Sequence, residues 1–533
     1  MAKVLLINPV IREDDAPKHV PYGLALIAAC LERAGHRFQV LDANAHRPPD
    51  RAIAEALEAD DWDVVATGGI STVYGYVKKI ARLAERHAPR ALRVVGGGLL
   101  TSLPREVMTL LPQFHVGVVG EAFETFPEVV ERAGSREPGW NDVPGIIWRD
   151  RGGELRLTPP RPLLADIDSL PRPAWEYFPL DIYFRNSSLL YSEESFTARR
   201  RLDINASYGC PFICRFCFHL GTAGDLQYVE SPGAVGGDVR FTHDRVNRWH
   251  SARYVVDLVK YVRDTYGVDF VLFLDENLIA MDTASRHTWL PELCRLWIAE
   301  GLQPQCVRDG VPHSADRCRG VHFGATSHAA LIQPEILATL RRAGCTQLLY
   351  GLESFSQRVL ANVGKGATPE KNESAIRLTL DAGIRPIPNQ MMGFPDDFFD
   401  SLIECVEAWE RLGIQVKPFF ATAYPGTEWF HRYRERILAQ YDGDLDAYLD
   451  DLGDATRITG NLCENLSPVE LYGLRELMVQ RDLRRIREYE QLWRARHGEP
   501  KFGNVRWPEA RRLHTPYNLP PRGVASVPAA ARE

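Results

Sequence analysis

The segment Tyr208-Gly209-Cys210-Pro211-Phe212-Ile213-Cys214-Arg215-Phe216-Cys217-Phe218-His219 decides how the rest of the chain is interpreted. Its cysteines are separated by three and then by two residues, with glycine and proline beside the first, which predicts a loop. Thiolates are soft ligands that suit iron–sulfur clusters, and a 4Fe–4S cluster held by only three of them keeps one iron open to another ligand. The spacing therefore predicts a cluster whose open iron can carry chemistry.

Other interpretations fit the same three thiols. A structural zinc site needs a fourth ligand, and His219 lies close enough in the sequence to supply it. The thiols can also be unligated core residues. Disulfides are disfavoured, because ten cysteines in 533 residues without a secretory leader are typical of a reduced cytosolic protein.

Composition is that of an ordinary globular chain with room for three or four domains. Hydrophobic residues make up 45% and charged residues 25%, and the net charge of −7 gives no general reason to expect nucleic acid. The sequence contains no apolar run of the length that spans a membrane, and Met1 leads directly into a strand-like segment. We therefore expect a cytoplasmic protein that binds neither membrane nor nucleic acid.

Apolar segments alternate with helical patterns over residues 1–135, which predicts a doubly wound parallel sheet of the flavodoxin or Rossmann type. Ligands of such sheets bind outside the carboxyl ends of the strands, where glycines allow close backbone approach. Ser71 and Thr72 can instead cap the next helix. The predicted strand ends carry Asn8, Gly68–Thr72, Gly96–Gly98 and Gly120–Glu121.

Three further regions follow this domain. Eight prolines interrupt residues 136–200, which predicts an irregular linker with a hairpin around Arg151–Glu154. Strand and helix patterns recur over residues 201–430, interrupted by a loop without clear periodicity at Gly221–Trp249. The sequence of residues 431–533 predicts a helical region that ends in a partly disordered basic tail from Pro500. The arginines of this tail can bind an acidic carrier or substrate.

The cysteine segment resembles the cluster loop of radical S-adenosylmethionine (SAM) enzymes, through Cys210-x-x-x-Cys214-x-x-Cys217 and the aromatic Phe216. The resemblance implies that the open iron is chelated by SAM, that one-electron reduction yields a 5′-deoxyadenosyl radical, and that a flavodoxin- or ferredoxin-type donor supplies the electron. Gly351-Leu352-Glu353-Ser354, Gln390–Pro395 and Phe419–Glu428 resemble later strand ends of the same family and imply an open barrel of about six strands. The implied SAM contacts are Phe216, Asp275, Gly351, Glu353, Ser354 and Gly393.

Two of these residues also have a purely structural interpretation. Glu353 can be an acid paired with a cation, because an unpaired carboxylate among apolar neighbours costs several kcal/mol. Asp275, near the end of the predicted strand Phe270–Asn277, can cap the segment that follows it.

The loop order of residues 1–135 resembles the cobalamin-binding domain that precedes the cluster loop in one branch of that family. No Asp-x-His-x-x-Gly motif is present in the first loop, where His19 lies, so the resemblance implies a cobalt whose lower position is not filled by protein histidine. The alternative is a sheet that is only a scaffold. The implied cobalamin contacts are Asn8, Pro9, Gly23, Gly69, Ser71, Thr72, Gly96, Gly97, Gly98, Gly120 and Glu121.

Three smaller features complete the interpretation. The six aspartates of Asp442–Asp454 predict a solvated acidic face. The capping box at Ser467 begins a helix predicted to run almost to Arg496. Cys306 and Cys318 flank a loop containing His313; without a Cys-x-x-Cys spacing, core cysteines are the simpler interpretation and a second metal site is the alternative.

Taken together, the resemblances imply a cobalamin-dependent radical SAM enzyme, first of all a methyltransferase acting on an unactivated carbon or phosphorus of a small-molecule biosynthetic intermediate. The alternatives are a non-methylating radical enzyme of the same layout, performing cyclisation, ring contraction or radical addition, and a non-catalytic metal-binding protein. The sequence contains no recognisable code for the substrate.

Overall fold

A computed structural model of the chain describes residues 1–135, 137–187, 198–218, 226–229, 238–241, 246–314 and 318–502. Within these residues the chain forms two sheets of mainly parallel strands, flanked by helices, and a helical region after residue 427. No helix in the described part of the chain has both the length and the apolar character needed to cross a bilayer.

The first sheet has seven strands, of which the first five in the chain are parallel. Its first strand has five fully enclosed residues out of six, which is typical of a parallel strand covered on both faces. The strands, in chain order, are β1 (Lys3–Asn8), β2 (Arg37–Asp42), β3 (Val64–Gly68), β4 (Leu92–Gly96), β5 (Val116–Val118), β6 (Ile146–Arg149) and β7 (Leu155–Leu157).

Seven helices accompany this sheet, and the doubly wound prediction is confirmed. The strand order β2-β1-β3-β4-β5 turns back at β1, so the loops after β1 and β3 diverge at that point of the sheet. The helices are α1 (Tyr22–Arg33), α2 (Ala43–His46), α3 (Asp50–Glu58), α4 (Tyr74–His87), α5 (Gly97–Ser102), α6 (Pro104–Leu110) and α7 (Thr125–Arg132).

The hairpin predicted around residues 151–154 is present, but it is not part of a free linker. Strand β6 pairs antiparallel with β5, and β7 pairs antiparallel with β6, so the hairpin extends the first sheet to Leu157. The side chain of Thr158 closes the pairing, because its hydroxyl accepts the Ile146 N–H at 3.0 Å. The first sheet therefore continues beyond residue 135.

The second sheet is an open barrel of six parallel strands, as predicted. Its strands are β8 (Arg201–Ile204), β13 (Phe270–Phe273), β14 (His322–Ser327), β15 (Cys345–Glu353), β16 (Arg385–Met392) and β17 (Phe419–Phe420). They lie in the order β17-β16-β15-β14-β13-β8, and every neighbouring pair is parallel. Four short strands form two separate antiparallel pairs: β9 (Ser207–Tyr208), β10 (Leu226–Val229), β11 (Asp238–Phe241) and β12 (Arg248–Trp249).

Helices connect these strands and form the C-terminal region. The second of them, α9, is capped at both ends: the Ser251 hydroxyl accepts the Tyr254 N–H at 3.1 Å, and Gly267 ends the helix in a left-handed conformation. The helices are α8 (Leu180–Ser187), α9 (Ala252–Tyr266), α10 (Leu278–Ala284), α11 (Trp289–Ala299), α12 (Gln305–Asp309), α13 (Pro334–Ala343), α14 (Gln357–Val363), α15 (Pro369–Asp381), α16 (Phe399–Leu412), α17 (Glu428–Leu438), α18 (Leu445–Asp451), α19 (Pro468–Val479) and α20 (Leu483–His497).

Two predicted segments differ from the structure. The Gly221–Trp249 segment was predicted as a loop, but it contains the antiparallel pair β10–β11 and the strand β12, which pairs with β9. The helix predicted from Ser467 to Arg496 is broken, because Arg481 adopts a positive φ of 56° and Asp482 caps α20 by accepting the Arg485 N–H. The tail beyond residue 502 lies outside the described residues.

The aspartate-rich segment is only partly a solvated face: Asp442, Asp444 and Asp450 are exposed, but some of its carboxylates contact the first domain. Helix α18 lies against α4 of the first sheet, where Lys78 Nζ donates to Asp446 Oδ2 at 2.6 Å and to Asp450 Oδ2 at 2.8 Å. The Tyr74 hydroxyl also donates to Asp446. The acidic residues therefore join the C-terminal region to the first domain.

Candidate active site

The three cysteines of the predicted cluster lie in the loop after β9, at the carboxyl end of the first barrel strand. Cys210 and Cys214 are buried and Cys217 is half-buried. The Cys217 N–H donates to the Cys214 carbonyl at 3.1 Å, so the last two cysteines belong to one turn. Three thiols in an enclosed loop are the donor set that a 4Fe–4S cluster with one open iron requires. We call residues 210–217 the cluster loop.

Aromatic and backbone contacts fix the cluster loop to the barrel. The Phe212 ring stacks on the His328 ring with centroids 3.8 Å apart and planes 5° apart. The Arg215 N–H donates to the Val363 carbonyl at 3.1 Å, and its guanidinium bonds to the Asn362 carbonyl and lies 3.4 Å from Glu428. The segment after β15 therefore supports the loop from one side.

The His328 ring that stacks on Phe212 is neutral. Its Nδ1 accepts the Ala330 N–H at 3.1 Å, so the proton resides on Nε2, which lies 2.9 Å from the Lys365 carbonyl. Burial, together with the Lys365 charge, holds the pKa of His328 well below its usual value. The sequence analysis did not single out His328, because its role depends on stacking across the fold.

Glu353 and Lys365 form a buried ion pair beside the cluster loop. Lys365 Nζ donates to Glu353 Oε1 at 2.8 Å, and both side chains are 8% exposed. Burial opposes the Lys365 charge, but the charges of Glu353, Cys214 and Cys217 outweigh it and raise the pKa of Lys365. The structural interpretation of Glu353 as a paired acid is thus correct, and its contact with SAM stays a prediction.

The backbone around this pair is specialised. Glu353 ends β15 with a positive φ of 62°, where the register with β16 also shifts. A Cβ on Gly351 would lie 2.4 Å from Glu353 Oε1 and 3.1 Å from Lys365 Nζ, so a larger residue there would shift the ends of both side chains. Such strain in a non-glycine residue is typical of functional sites. The Ser354 hydroxyl accepts the Ser356 N–H at 3.0 Å, and its contact with SAM stays a prediction.

Asp275 supports the start of the cluster segment. Its Oδ2 accepts the Ala206 N–H at 3.0 Å, and its Oδ1 accepts the Ser207 hydroxyl. Burial raises the pKa of Asp275 to about 7, although these hydrogen bonds oppose the shift. Both oxygens are therefore used in holding the turn between β8 and β9, and a direct SAM contact of Asp275 stays a prediction.

Gly393 is held by an aspartate that the sequence analysis missed. Gly393 has a positive φ of 80°, and Asp397 Oδ2 accepts its N–H at 2.8 Å and that of Phe394 at 3.1 Å. Asp397 Oδ1 accepts the Ser401 hydroxyl at 2.7 Å. Burial raises the pKa of Asp397 to about 7, with the nearby Asp396 acting in the same direction. The sequence signal was an aspartate four residues after the glycine.

Polar atoms without partners mark the space at the carboxyl ends of the barrel strands. Ser327 Oγ, at the end of β14, and Gln390 Nε2, on β16, are buried without a hydrogen-bond partner among the described residues. Gln390 lies opposite Glu353 in the pairing of β15 with β16. Because buried polar groups are rarely left unsatisfied, Ser327 Oγ fits a polar ligand at this end of the barrel. The Gln390 amide is instead held against α16, where its Oε1 accepts the Trp409 Nε1–H at 2.7 Å.

The glycine loops of the first sheet form a tightly packed rim. A Cβ on Gly68 would lie 2.3 Å from the Gly96 carbonyl oxygen, and one on Gly97 would lie 2.7 Å from backbone atoms of Gly69. The Ser71 hydroxyl is buried without a partner in the described part of the chain. The glycines thus serve loop packing, while the orphaned hydroxyl of Ser71 fits a bound ligand.

Two predicted cobalamin contacts are occupied by protein partners. Asn8 Nδ2 donates to Asp42 Oδ1 at 2.7 Å. Glu121 accepts two hydrogen bonds from the Arg248 guanidinium, one of them at 3.0 Å, and so connects the first sheet to β12. The remaining positions on this rim are Pro9, Gly23, Thr72 and Gly120; they lie after β1, at the start of α1, after β3 and after β5.

His19 faces the barrel. Its Nδ1 lies 2.6 Å from Asp203 Oδ2, and Asp203 is 2% exposed on β8. This pairing agrees with the expectation that His19 does not serve as a cobalt ligand, which stays a prediction.

The glycine rim of the first sheet lies close to the end of the cluster loop. A Cβ on Gly98 would lie 2.7 Å from Cζ and 2.8 Å from Cε1 of Phe218, the residue that follows the last cysteine of the cluster loop. Phe123 and Tyr208 make a second contact across the same boundary, with ring centroids 5.9 Å apart. The predicted cobalamin face and the predicted cluster site are therefore neighbours.

The fold is that of a two-domain α/β protein. Its three cysteine thiols fit a 4Fe–4S cluster, and they lie beside a parallel sheet whose strand-end loops are rich in glycine. The B12 binding domain family matches residues 10–130, and the Radical SAM superfamily matches residues 204–408. The chain belongs to the radical SAM enzymes that carry an N-terminal B12-binding domain.

Similar proteins cover most of the chain. An uncharacterized methyltransferase of Pyrococcus horikoshii is 25% identical over 446 residues, which are 82% of this chain and 84% of that protein. The anaerobic magnesium-protoporphyrin IX monomethyl ester cyclase of Cereibacter sphaeroides is 26% identical over 421 residues, or 78% of this chain and 61% of the cyclase.

A solved structure has the same arrangement. The radical SAM methyltransferase TsrM from Kitasatospora setae, with cobalamin and a [4Fe-4S] cluster bound, aligns with a TM-score of 0.60 at 18% identity. The alignment covers 82% of this chain and 76% of TsrM. The likeness establishes a shared fold over both domains.

Proposed function

We propose that the protein is a cobalamin-dependent radical SAM methyltransferase that acts on an unactivated carbon, or phosphorus, of a small-molecule biosynthetic intermediate. The observation that carries this proposal is the contact between Gly98 and Phe218, which places the glycine rim of the first sheet directly against the cluster loop. A methyl group can pass between two cofactors and one substrate only if all three share one enclosed space.

The thiols of Cys210, Cys214 and Cys217 would hold the cluster, and the rim after β3 and β4 would hold cobalamin. When bound, these groups supply the electron transfer and the methyl-group chemistry, while the protein supplies position and exclusion of water. The Phe212–His328 stack fixes the loop that carries the cysteines.

Lys365 and Glu353 have complementary roles in this proposal. The Lys365 ammonium favours the thiolate forms of Cys214 and Cys217, because a nearby cation lowers the cost of the negative charge. Lys365 Nζ donates a hydrogen bond to Glu353 Oε1, and we propose that Glu353 Oε2 would accept one from the amino group of SAM. Gly351 leaves the space for both, and Asp397 orients the backbone of Gly393 at the neighbouring strand end.

The test uses anaerobically reconstituted protein with iron, sulfide and cobalamin, a low-potential reductant, and SAM carrying a CD3 group, incubated with a small-molecule metabolite extract. We expect both 5′-deoxyadenosine and S-adenosylhomocysteine, and a CD3 label on a small molecule. Protein prepared without cobalamin is the control. Formation of 5′-deoxyadenosine alone would overturn methyl transfer and favour the non-methylating radical enzyme.

A further inference from the structure

Four potential metal ligands converge in the barrel far from the cluster loop. They are Cys306, His313, Cys318 and His322, whose ligand atoms all lie within 4.8 Å of one another. Cys306 belongs to α12 and His322 is the first residue of β14, while the other two lie in the connection between these elements. We call these four residues the Cys2His2 group.

The distances fit one tetrahedral ion. Zinc bonds of ~2.3 Å to sulfur and ~2.0–2.1 Å to nitrogen place the sulfur and nitrogen corners of a tetrahedron ~3.6 Å apart. Cys306 Sγ lies 3.7 Å from His313 Nδ1 and 3.4 Å from His322 Nε2, and Cys318 Sγ lies 3.9 Å from His322 Nε2.

His322 is oriented as a ligand. Its Nδ1 lies 3.3 Å from the Gly344 carbonyl, a backbone partner of the kind that fixes the tautomer of metal-bound histidines. With the proton on Nδ1, the Nε2 lone pair faces both sulfurs.

A bound cation would stabilise the thiolate forms of Cys306 and Cys318. Cys306 is buried. The Cys306 N–H lies 3.4 Å from Cys318 Sγ and donates to it, the type of contact that stabilises a bound thiolate. A divalent cation would deprotonate both sulfurs and compensate their charge.

A two-iron cluster with mixed ligands does not fit. Such a cluster holds two cysteines on one iron and two histidines on the other. Here Cys306 lies within 3.7 Å of both histidines, so the sulfurs and nitrogens surround one point. Soft and borderline ligands in a closed set of four favour zinc among the common ions.

We propose that the Cys2His2 group binds one structural Zn²⁺, which is separate from the radical SAM site. His322 begins β14 and Ser327 ends it at the side of the candidate active site, so ~16 Å of strand separates the two places. Four protein ligands leave no open position. The ion therefore ties the connection between α12 and β14 to the amino-terminal end of the barrel.

The first experiment is elemental analysis with zinc K-edge X-ray absorption of the full chain, purified anaerobically from zinc-supplemented medium. Iron and cobalt do not contribute at this edge, so a loaded cluster and cobalamin do not interfere. We expect about one zinc per chain, with two sulfur neighbours at ~2.3 Å and two nitrogen neighbours at ~2.0 Å.

Variants test whether these residues hold the ion. Cys318→Ser and His313→Ala change half-buried side chains, so the chain should still fold, and we expect zinc content to fall at least ~10-fold. Cys294→Ala, a buried cysteine on α11, is the matched control and should keep its zinc.

Either of two results would overturn the proposal: a wild-type chain that contains no zinc, or a zinc edge without sulfur neighbours. Retention of zinc in both Cys318→Ser and His313→Ala would overturn it as well. Failure of the proposed methyl transfer would not affect these readouts, because none of them depends on activity.

Discussion

The cluster loop and the Cys2His2 group are both built from cysteines, yet they lie at opposite ends of the barrel. The cluster loop offers three thiols at the carboxyl ends of the strands, beside Lys365 and the glycine rim of the first sheet. The Cys2His2 group offers four ligands at the amino end of β14. Three ligands leave a position for chemistry and four close the site, so ligand number separates the reactive centre from the structural one.

The largest expected effect comes from removing one cluster thiol. Cys214→Ala should abolish cluster binding and lower 5′-deoxyadenosine formation by a factor on the order of 10³ or more, because the radical step has no other route. Zinc content should stay unchanged. Iron analysis, zinc analysis and chromatography of the nucleoside products check this, with Cys294→Ala as the control. Loss of both metals together would show that the two centres are not independent.

A smaller effect is expected from the buried ion pair beside the cluster loop. Lys365→Met leaves the Glu353 carboxylate buried without its cation, which costs about 3–5 kcal/mol in comparable cases. Thermal unfolding and equilibrium binding of SAM measure the loss.

The double variant Lys365→Met with Glu353→Gln serves as the control for this pair. It removes both charges, so it should recover stability but not SAM binding. Recovery of SAM binding in the double variant would contradict the assignment of Glu353 to the cofactor.

The two ends of the barrel should also respond differently to pH. At the active-site end, Asp275 and Asp397 have folded-state pKa values of about 7, above their ordinary value of 3.8. Between these values the folded chain binds more protons than the unfolded chain, so the free energy of unfolding falls as pH rises, by at most ~4 kcal/mol per carboxyl. The Cys2His2 group at the other end contains no carboxyl group.

Asp397→Asn tests this pH dependence. The amide can accept the Gly393 N–H and donate to the Ser401 hydroxyl, so the geometry is preserved while the titration is removed. Thermal melts of the loaded protein from pH 5.5 to pH 8.5 should be flatter for the variant than for the wild type. Identical slopes would contradict a raised pKa for Asp397.

The smallest effect is expected where the two domains meet. Gly98→Ala adds a Cβ within 2.8 Å of the Phe218 ring, whose far edge can shift, so we expect a ~2–5-fold loss of CD3 transfer with 5′-deoxyadenosine formation retained. Gly473→Ala, with no atom within 4 Å of the added Cβ, is the control. Equal loss of both products would mean that the contact serves the cluster loop alone.

Local patterns were sufficient for much of this architecture. The spacing of the three cysteines identified the cluster loop because all three ligands lie within eight residues. The alternation of apolar strands with amphipathic helices predicted the doubly wound sheet, and the resemblance of three strand-end segments to those of radical SAM enzymes implied the six-stranded barrel. Each of these signals depends on neighbours in the chain, which is where sequence patterns are informative.

Other features depended on contacts that no local pattern contains. The aspartates of α18 were interpreted as solvated, but Lys78 from a distant helix pairs with two of them. Asp397 was missed because its role is to accept two backbone N–H groups at the end of β16. The local sequence around a charged residue does not show whether its side chain faces water or pairs with a residue from a distant segment.

The sequence by itself determined the class of the protein, since the cluster spacing and the glycine loops are written in consecutive residues. Only the tertiary structure decided which residues serve cofactors and which serve the fold, because that depends on packing between distant segments. It paired Glu353 with Lys365, used Asp275 to hold the turn before the cluster loop, and brought His322 to the cysteines at positions 306 and 318. The physical reason is that ligand sets are formed by distances in space, and spacing along the chain fixes those distances only within a single loop or turn.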